Sequence, residues 1–591
     1  MGTKKICILG AGYGGVHAAK LLNRKFKKDD NLEITLINKQ PYHTLLTELH
    51  EVAGGRVERD SVKVNLEKIF GKSKVKVKLD EITEIDFEKN TLNSPNNRYD
   101  YDYLIIGSGS EPAFYNISGA KENSFTIWSY EDAIRIREHI ETMFEKASVE
   151  NNKDKRRKML TFMVAGAGFT GVETIGEIAE WKNKLCKDYN ISKSEVRLII
   201  ADMSPKILPI LEEKLIRKAE KRLRKLGVEI YTKCPISQVS KDYVIMKDNE
   251  KVNCKTLIWS AGVQANKFTK ELGLTLGVGG RIVTNEHMQT VDHKNVYVVG
   301  DNVDYEDNSN KLPQIVETAL QTAETAVENI KNDIDGKSKI AHKSNYHGLM
   351  VSIGSRYAVA SVGGMKLSGF FAMAVKHLVN LHYLFGVGGF NLIWSYLMHE
   401  IFHIKEKRSL LGEHFSYNTP NFWLVPLRVF LGAHWLIEGI KKIQDGWLDP
   451  GNIFIIQTEV SGASETADAA ANAVEPLLSS PPAIYQWFMD TFVEKVAYPM
   501  QAMVVITEVA IGLALIAGLF TMISAIVSLF LTFNFIISAM ADASILWYSF
   551  SSIALIGGAG RTFGLDYYVM PWIKEKWNKT KLARKFYVYI D

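Results

Sequence analysis

The clearest chemical signal in this sequence is the spacing of the glycines in two glycine-rich turns. One is Gly10-Ala-Gly12-Tyr-Gly14-Gly15, and the other is Gly166-Ala-Gly168-Phe-Thr-Gly171. Each turn follows a short apolar run and begins a helical pattern, which is the strand–turn–helix context of dinucleotide binding. Glycine lets the backbone approach a pyrophosphate at the N-terminus of the helix. Two such turns in one chain predict two dinucleotides held face to face, a flavin and a nicotinamide.

The elements around these turns must hold the two nucleotides in place. A strand–helix–strand pattern over 5–37 ends at Asn38, where an acidic residue usually binds the adenosine ribose. The amide of Asn38 can still hydrogen-bond a hydroxyl. In the second unit the predicted strand 196–201 ends at Asp202. A carboxylate there accepts a hydrogen bond from the ribose 2′-OH and repels a 2′-phosphate, so the sequence predicts NADH rather than NADPH.

A third strand signal completes the first unit. The buried strand predicted at 295–299 leads into Gly300-Asp301, and a helical pattern covers 313–332. In flavoproteins with two dinucleotides this aspartate faces the ribityl chain of FAD. The predicted fold is therefore an α/β flavoprotein with tandem Rossmann domains, one inserted in the other. The FAD domain comprises 1–117 and 281–335, and the NADH domain comprises 118–280.

Composition excludes several other classes of protein. The net charge of +5 is small for 591 residues and the basic residues are scattered, so nucleic acid is not predicted as a partner. The four cysteines form no CxxC or CxxxxC pair, which argues against a redox-active disulfide and a zinc knuckle. The electrons of a reduced flavin must then go to another acceptor, and the apolar segments of the C-terminal half favour a lipophilic one.

Several stretches together resemble the type II NADH dehydrogenases, the single-subunit NADH:quinone oxidoreductases. These stretches are 42–53, 101–112, 168–173, 257–263 and Gly300-Asp301, and the match spans about 3–404. The resemblance implies an enzyme with FAD and NADH, docked on one membrane leaflet, that reduces a membrane quinone without pumping protons. We favour a quinone of the menaquinone type. The resemblance also carries the expectation of a homodimer.

The motifs and the resemblance together give the candidate nucleotide-binding residues. Those for FAD are Gly10, Gly12, Gly14, Gly15, Asn38, Lys39, Thr47, Ser108, Gly109, Gly300 and Asp301. Those for NADH are Gly166, Gly168, Phe169, Thr170, Gly171, Glu173, Asp202, Ala261 and Gly262.

The resemblance also assigns the catalytic candidates, which are Glu173, Glu317 and Gln321. Glu173 falls on the family's glutamate near nicotinamide and flavin, which is implicated in proton handling; alternatively it stabilises the first turn of a helix. In the helix that lines the family's quinone site, Gln321 matches, but Glu317 replaces the first glutamine. This substitution predicts an altered quinone site rather than a lost one. Lys376 is a further quinone candidate, or a lysine that reaches to the lipid headgroups.

The C-terminal third is predicted to attach the protein to a membrane. The segment 336–410 contains amphipathic anchor helices, of which 368–386 suits an interfacial helix better than a spanning one. Region 411–573 follows with an all-α transmembrane domain and ends in a basic tail, 574–591. Its four predicted spans are 422–441, 501–519, 521–540 and 545–563. The distribution of basic residues predicts a multi-pass protein of the cell membrane with its flavoprotein part on the cytoplasmic side.

Region 411–573 resembles the DoxX-like four-helix membrane proteins. The matching residues are Leu427-Arg428, Gly432, Gly439, Lys442, Glu508, Gly512 and the segment 558–561. Four ionisable residues lie at or near predicted membrane depth: Arg428, His434, Glu438 and Glu508. Such groups usually pair with one another or line a functional cavity, so we expect either structural ion pairs between helices or a second quinone or proton site.

Other functions stay open at this stage. The membrane domain can instead relay electrons from NADH to a separate quinone pool or an extracytoplasmic acceptor. A sulfide:quinone reductase and an NADH oxidase that uses O₂ are further enzyme alternatives, although no cysteine follows Cys254. The sequence His399-Glu400-Ile-Phe-His403 has the form of a zinc motif, but it lies inside the predicted anchor and we predict no metal.

Overall fold

The computed structural model describes residues 3–402, 421–455 and 476–583, except positions 28, 30, 72, 308 and 581. The chain divides into two compact units, one made mainly of residues 1–417 and the other mainly of residues 418–583.

The first unit contains two five-stranded parallel sheets, as the tandem glycine turns predict. The strands of the first sheet are, in spatial order, Val296–Val298, Tyr103–Ile106, Lys4–Leu9, Leu32–Asn38 and Val75–Leu79. Four of these strands are short, largely apolar runs whose side chains are mostly buried, as expected for a parallel sheet covered on both faces, whereas the edge strand Val75–Leu79 is mostly exposed. The first glycine turn follows the central strand, where its two neighbours diverge.

The second sheet repeats this arrangement with residues from the middle of the chain. Its strands are Phe125–Thr126, Thr256–Trp259, Thr161–Ala165, Arg197–Ala201 and Val228–Tyr231. The second glycine turn again follows the central strand. Because residues 296–298 pair with 103–106 in the first sheet, the second sheet is inserted between two parts of the first. The proposed domain limits at 117 and 281 stay predictions.

Small antiparallel sheets accompany the two parallel ones. Three strands, Glu84–Asp86, Thr91–Asn93 and Arg98–Asp100, form one of them, and Gln238–Ser240, Tyr243–Ile245 and Lys251–Asn253 form another. A two-stranded ribbon of Ser110–Pro112 and Val263–Ala265 joins the chain segments that pass between the two parallel sheets.

Five helices cover the parallel sheets, and the three that follow the glycine turns and Gly300 begin close to the predicted positions. The five helices are Tyr13–Lys25, Tyr130–Val149, Phe169–Asp188, Glu213–Lys225 and Val316–Asp335. The helices that begin at Tyr13 and Val316 pack against each other at Gly14. A Cβ atom at Gly14 would lie 3.2 Å from the carbonyl oxygen of Ala319, so glycine permits this close approach.

After these domains the chain forms an antiparallel sheet and a long helix. The sheet consists of Gly348–Ser352, Ala358–Val362 and Met365–Gly369, and the helix runs from Phe370 to Leu397. The predicted segment 368–386 covers the part of this helix that precedes its break. The helical direction breaks at Gly388 and Gly389 but the chain continues as a helix, and the side chain of Lys20 donates to the carbonyl of Val387 at this break.

The second unit is helical. Its main helices are Leu424–Gln444, Ala497–Ala517, Thr521–Ile537, Ile545–Leu555 and Asp566–Asn578. The first two pack at Gly432 and Gly512, where an added Cβ would lie within 3.0 Å of backbone atoms of the facing helix. Close packing through small residues is a common device of membrane helices. The helix Asp566–Asn578 was not predicted, because Pro571 and a mixture of charged residues hide its apolar periodicity.

Two helical runs are long and apolar enough to cross a membrane by length and composition, namely Phe370–Glu400 and Ala483–Ala517. The helices Thr521–Ile537 and Ile545–Leu555 are apolar but shorter. Each of the four predicted spans overlaps a helix of this unit. The four-span topology and the likeness to DoxX-like proteins stay predictions. Residues 456–475, which lie between the first two predicted spans, are outside the described residues.

Candidate functional site

The two glycine turns have the same backbone geometry. Gly10 and Gly166 adopt φ values of +98° and +100°, in the left-handed region that favours glycine. A Cβ atom would lie 2.3 Å from the carbonyl oxygen of Gly107 at the first position and 2.5 Å from that of Ser260 at the second. The last glycines, Gly15 and Gly171, each pack against the carbonyl of the first glycine in their turn. These four positions therefore maintain the turns themselves.

The middle glycines have a different surrounding. At Gly12 and Gly168 an added Cβ would have no heavy atom within 4 Å. Each of them caps a helix whose first turn carries no acidic residue, so the backbone N–H groups and the helix dipole are free of a neutralising carboxylate there. Open space beside such a helix N-terminus fits a pyrophosphate. Both turns are therefore suited to a dinucleotide.

Asn38 and Asp202 occupy equivalent positions in the two sheets. The side chain of Asn38 accepts a hydrogen bond from the backbone N–H of Ala11 at 2.9 Å. The carboxylate of Asp202 accepts one from the N–H of Ala167 at 2.6 Å and one from Ser204 at 2.7 Å. Each residue thus holds the glycine turn beside it, which places its polar group at the end of the strand where an adenosine ribose would lie.

The remaining predicted FAD residues surround the end of the first sheet. Asp301 accepts a hydrogen bond from the Ser110 hydroxyl at 2.6 Å, and burial raises the pKa of its carboxyl. The side chain of Asn266 donates to the carbonyls of Ser108 and Gly109, which fixes this loop. Gly300 donates its N–H to the Thr322 hydroxyl.

The other nucleotide candidates are placed as follows. Thr47 is hydrogen-bonded to the Tyr13 hydroxyl at 3.0 Å. Lys39 forms an exposed ion pair with Glu81. At Gly262 an added Cβ would collide with the Tyr115 hydroxyl at 2.1 Å, so Tyr115 lies directly over the turn of Ala261 and Gly262.

A cavity of about 390 Å³ lies where the elements of the first unit converge. Tyr13 and Asp301 reach it from the first sheet, and Phe169, Thr170 and Glu173 reach it from the helix after the second glycine turn. The loop 45–50, the strand that begins at Gly348 and the helix that begins at Phe370 complete its wall. This volume is typical of a small-molecule site, and most of the lining surface is apolar.

Glu173 is held at the cavity by a serine and a buried histidine. Its carboxylate accepts hydrogen bonds from the backbone N–H of Ser352 at 3.1 Å and from the Ser352 hydroxyl at 3.2 Å. The same hydroxyl lies 3.2 Å from Nε2 of His50. Burial raises the pKa of Glu173 to about 8 and lowers the pKa of His50 to about 3. Near neutral pH Glu173 is therefore mostly a protonated acid and His50 is neutral.

This placement decides between the two interpretations of Glu173. Glu173 is the fifth residue of the helix Phe169–Asp188, and the first turn of that helix contains no acidic residue. Its contacts are with the C-terminal sheet and not with free N–H groups of the helix start. A role in capping the helix is therefore wrong, whereas the catalytic role stays a prediction.

Lys376 is buried inside a cluster of charged residues at the cavity wall. Only 5% of its surface is exposed, and its ammonium lies 3.1 Å from Glu48 and 2.6 Å from Glu51. Glu51 also pairs with Arg56, whose guanidinium bonds Glu400 at 2.7 Å. The alternative of a lysine that reaches to the lipid headgroups was therefore wrong.

Arg56 is the centre of the other half of this charged cluster. It contacts three carboxylates, those of Glu51, Glu177 and Glu400, and its side chain is only 2% exposed. The ion pairs raise the pKa of Arg56, so it stays charged despite its burial. The cluster thus connects the segment 48–56 with the helix Phe169–Asp188, through Glu177, and with the helix Phe370–Leu397, through Lys376.

The two candidates on the helix predicted to line the quinone site, Glu317 and Gln321, have different surroundings. Glu317 lines the cavity and accepts hydrogen bonds from the backbone N–H and the ring of His347 at 3.1 and 3.0 Å. Both atoms of the Gln321 amide instead bond the backbone of Asn345, at 2.7 and 2.9 Å. Gln321 is not among the described residues that line this cavity. Its structural position is that of a tether for the segment that leads into the C-terminal sheet.

His399 and Glu400, from the sequence that has the form of a zinc motif, pair with protein side chains. Glu400 is paired with Arg56 and His399 lies 3.1 Å from Glu58, while His403 lies outside the described residues. Glu48, Glu51 and Glu400 are close enough together to share a metal ion. The positive charge between them is already supplied by Lys376 and Arg56, so the geometry does not favour a metal there.

The four ionisable residues of the second unit do not pair with one another in the part of the chain that the structure describes. Arg428 donates to the carbonyls of Ala559, Thr562 and Phe563, and Glu508 forms an interhelical ion pair with Lys442. His434 packs against aromatic rings, including that of Trp547 at 5.0 Å, and Glu438 pairs with Lys441 at 2.9 Å. For Glu508 the interpretation as a structural ion pair is supported. A second quinone or proton site stays a prediction.

Comparison with known proteins identifies the family. Residues 4–329 match the family model named pyridine nucleotide-disulphide oxidoreductase. A type II NADH:quinone oxidoreductase of Staphylococcus haemolyticus is 32% identical over 398 residues, which cover 66% of this chain and 98% of the relative. The protein of the same name from Staphylococcus aureus has the same identity and coverage. The chain belongs to the type II NADH:quinone oxidoreductases.

Solved structures support the same fold for the first unit. NDH2 of Plasmodium falciparum in complex with NADH superposes with a TM-score of 0.60 at 19% identity, over 67% of this chain and 98% of that one. The sulfide:quinone oxidoreductase of Aquifex aeolicus gives a TM-score of 0.55 at 18% identity, over 67% of this chain and 92% of that one. The two staphylococcal relatives leave about a third of this chain uncovered.

The four cysteines of this family member are buried and unpaired. Burial raises the pKa of Cys7 and of Cys254 to about 12, which disfavours reactive thiolates. None of the four cysteines lines the cavity. A disulfide or persulfide relay at this site, as a sulfide:quinone reductase would need, is therefore disfavoured.

Sequence reasoning missed several polar residues of the site. Glu48, His50, Glu51, Arg56 and Ser352 were not singled out, although the first three lie in the stretch 42–53 that carried the family resemblance. One signal was available for two of them. His50 and Glu51 are polar residues within the short helix Leu49–Ala53, and all the residues of this helix are buried. Ser352 gave no sequence signal, because a serine in an alternating strand is usually exposed.

Proposed function

We propose that this protein oxidises NADH and reduces a membrane quinone of the menaquinone type at the cavity of the first unit, without pumping protons. The observation that carries the proposal is the cavity itself. Residues from both dinucleotide turns meet there with Glu173, a carboxyl that is kept protonated by burial. The membership in the type II NADH:quinone oxidoreductases supports the same conclusion.

The residues present fit the two nucleotides of the family. The first glycine turn with Asn38, Asp301 and the loop at Ser108 would hold FAD, and the second turn with Asp202 would hold NADH. Bound FAD supplies a carrier that accepts the hydride of NADH and passes two electrons on to a quinone. Asp202 would favour NADH, because a carboxylate beside the ribose repels the 2′-phosphate of NADPH.

The side chains of the protein supply a proton donor and a mostly apolar cavity wall. Quinone reduction needs a proton at each carbonyl oxygen, and Glu173 is an acid positioned at the cavity by Ser352. A donor whose pKa lies near the working pH transfers its proton most effectively. The mostly apolar wall accommodates the quinone ring, while Glu317 gives one side of the cavity an acidic group in place of the family's glutamine.

Membrane attachment belongs to the same proposal. The helix Phe370–Leu397 exposes an apolar surface before and after its break, including Phe371, Leu378, Phe390 and Trp394, each more than 60% exposed. Such a surface is suited to lipid. We propose that this surface and the apolar helices of the second unit hold the enzyme at the membrane, with the nucleotide domains in the cytoplasm. Carbonate extraction and protease protection of oriented vesicles would test attachment and sidedness.

Steady-state kinetics of the purified full chain test the proposed reaction. NADH oxidation should be stimulated strongly by menaquinone analogues, less by ubiquinone analogues, and only weakly by O₂ alone. NADPH should be a much poorer donor. If quinones gave no stimulation above the O₂ rate, the proposed function would be wrong, and a soluble acceptor would have to be sought.

Glu173→Gln should slow quinone reduction by about tenfold to a hundredfold, because the glutamine keeps the shape but cannot donate a proton. The wild-type rate should fall as pH rises through about 8, where Glu173 loses its proton, and the variant should lack this limb. The content of FAD and its reduction by NADH should be unchanged. Stopped-flow measurement of the two half-reactions between pH 6 and 9 checks this.

Glu180→Gln is the matched control for this prediction. Glu180 lies on the same helix and also accepts hydrogen bonds from a serine of the C-terminal sheet region, Ser355, at 2.8 and 2.6 Å. It is not among the cavity residues, so its variant should keep the wild-type pH profile. Equal loss of quinone activity in both variants would show that Glu173 acts only as a tether.

A further inference from the structure

The charged cluster beside the cavity contains more acids than bases. Among the described residues it joins four carboxylates, of Glu48, Glu51, Glu177 and Glu400, to the two cations of Arg56 and Lys376. All six side chains are at most 6% exposed. Burial of two uncompensated negative charges is very unfavourable, so such a cluster retains protons near neutral pH.

The contacts indicate which acid in the cluster can exchange a proton with the cavity. Glu51 contacts both Lys376 and Arg56, and these two cations hold its pKa well below the usual range. Glu177 is fully buried, pairs with Arg56 and is not among the described residues that line the cavity. Glu48 contacts a single cation and is the one carboxylate of these four that lines the cavity.

Glu48 is held by helix Phe370–Leu397. Its two oxygens accept hydrogen bonds from Lys376 at 3.1 Å and from the amide of Asn380 at 3.0 Å. Burial, followed by the charge of Glu51, raises the pKa of Glu48 to about 7. The other titratable groups that interact electrostatically with Glu48 from neighbouring elements are Tyr13, Glu173 and Tyr396.

We propose that Glu48 is a second proton donor to the quinone, beside Glu173. The inference rests on the proposed quinone reduction. The quinone receives two electrons from NADH, and each of its carbonyl oxygens forms an O–H bond. One of these protons comes from the carboxyl of Glu48, whose O–H bond breaks, and the other comes from Glu173.

This assignment balances the electrons and protons of the reaction. NADH yields two electrons and one proton, so one further proton enters from solvent for each quinol formed. These two protons restore the two carboxylic acids. After the transfer, the new carboxylate of Glu48 remains bonded to the ammonium of Lys376 and the amide of Asn380, which stabilise its charge. A second acid also explains why Lys376 is buried against Glu48 and is not free to bind the quinone as an isolated cation.

Glu48→Gln in the full-length holoenzyme tests the proposal. We expect a loss of about tenfold or more in the quinone half-reaction, with reduction by NADH unchanged. The pH dependence should also lose the component near 7 that Glu48 contributes. Glu48→Asp keeps an acid and should recover part of the rate. Glu138→Gln, an exposed carboxylate paired with Arg59, is the control and should behave as wild type.

Infrared difference spectroscopy during a pH titration provides a readout that does not depend on turnover. The wild type should show the C=O band of a protonated carboxylic acid that disappears with a midpoint near 7, and Glu48→Gln should lack it. If Glu48→Gln kept the wild-type rate at every pH or retained the band, the inference would be overturned, and Glu48 would only balance Lys376. Failure of the proposed function is separate, since it would appear as wild-type protein that no quinone stimulates.

Discussion

Gly12→Val should yield a folded protein that is colourless after purification, because the added side chain fills the space needed by the FAD pyrophosphate. The backbone at Gly12 has φ −73° and ψ −171°, which any residue can adopt. A Cβ there has no neighbour within 4 Å, so the polypeptide itself does not resist the substitution. We therefore expect loss of nearly all bound flavin with little change in secondary structure. Flavin absorbance and far-ultraviolet circular dichroism measure the two effects.

Gly168→Val is the matched variant in the second turn. Its backbone is almost the same, with φ −73° and ψ −166°, and its Cβ also has open space. This variant should keep its yellow FAD, but its KM for NADH should rise by at least about a hundredfold, because the side chain occupies the place of the NADH phosphates. The pair would contradict the assignment if Gly12→Val kept FAD, or if the two variants lost the same nucleotide.

Gly15→Ala should affect folding, in contrast to Gly12→Val, which should affect the binding of FAD. At this position the Cβ would lie 1.9 Å from the carbonyl oxygen of Gly10. Here the substitution should destabilise the turn itself and reduce the yield of folded protein. Loss of FAD without loss of fold is thus expected only at the middle glycine.

Arg56→Met should destabilise the folded enzyme by about 3–5 kcal/mol, the second large effect that we expect. The guanidinium compensates three carboxylates that are at most 4% exposed, and its removal takes this positive charge from all three, while Glu51 keeps its contact with Lys376. Methionine has a similar length and leaves no large cavity. Urea unfolding of the full chain, followed by circular dichroism and by the release of flavin fluorescence, measures the change.

The destabilisation should depend on pH in a defined direction. Arg56 acts to lower the pKa of Glu51 and of Glu400, so its removal raises both folded-state pKa values relative to the folded wild type, while the unfolded value stays about 4.3. The folded variant then binds more protons than the folded wild type over the range of these shifts, so its stability relative to wild type falls as pH rises through that range. The deficit relative to wild type should therefore be smallest near pH 5 and largest above neutral pH.

Arg59→Met is the control for the buried arginine. Arg59 lies three residues further along the chain and pairs with Glu138, but both side chains are about half exposed. A surface pair of this kind contributes about 0–1 kcal/mol, so little change is expected. A loss at Arg56 no greater than at Arg59 would show that water or a rearranged side chain replaces the guanidinium.

Much of the first unit was predictable because its signals are local. The apolar runs before the two glycine turns and before Gly300 are buried parallel strands in the structure, with limits within about one residue of those predicted. The helix predicted at 313–332 begins at Val316, where the preceding Pro313 had obscured the start. The predicted segment 368–386 ends just before the break at Gly388 and Gly389, where the backbone leaves the helical conformation.

The site was only partly predictable. Glu173 was found because it lies within a recognisable glycine-turn helix, and Lys376 was found as an interruption of an apolar face. The positions of Glu317 and Gln321, one turn apart on one helix, could not be distinguished without the segment that packs on them. His347 and Asn345 belong to that segment and bind the two side chains in different ways.

The sequence by itself determined the two dinucleotide turns and the parallel sheets that present them. Glycine spacing and strand periodicity depend on steric limits that act within a few residues. Tertiary structure alone decided the charged surroundings of the cavity. Lys376 and Glu48 are 328 positions apart, and Ser352 and Glu173 are 179 apart, so only the folded chain brings their charges together. Burial at that meeting point then sets the protonation of Glu173 and Glu48, which no local pattern encodes.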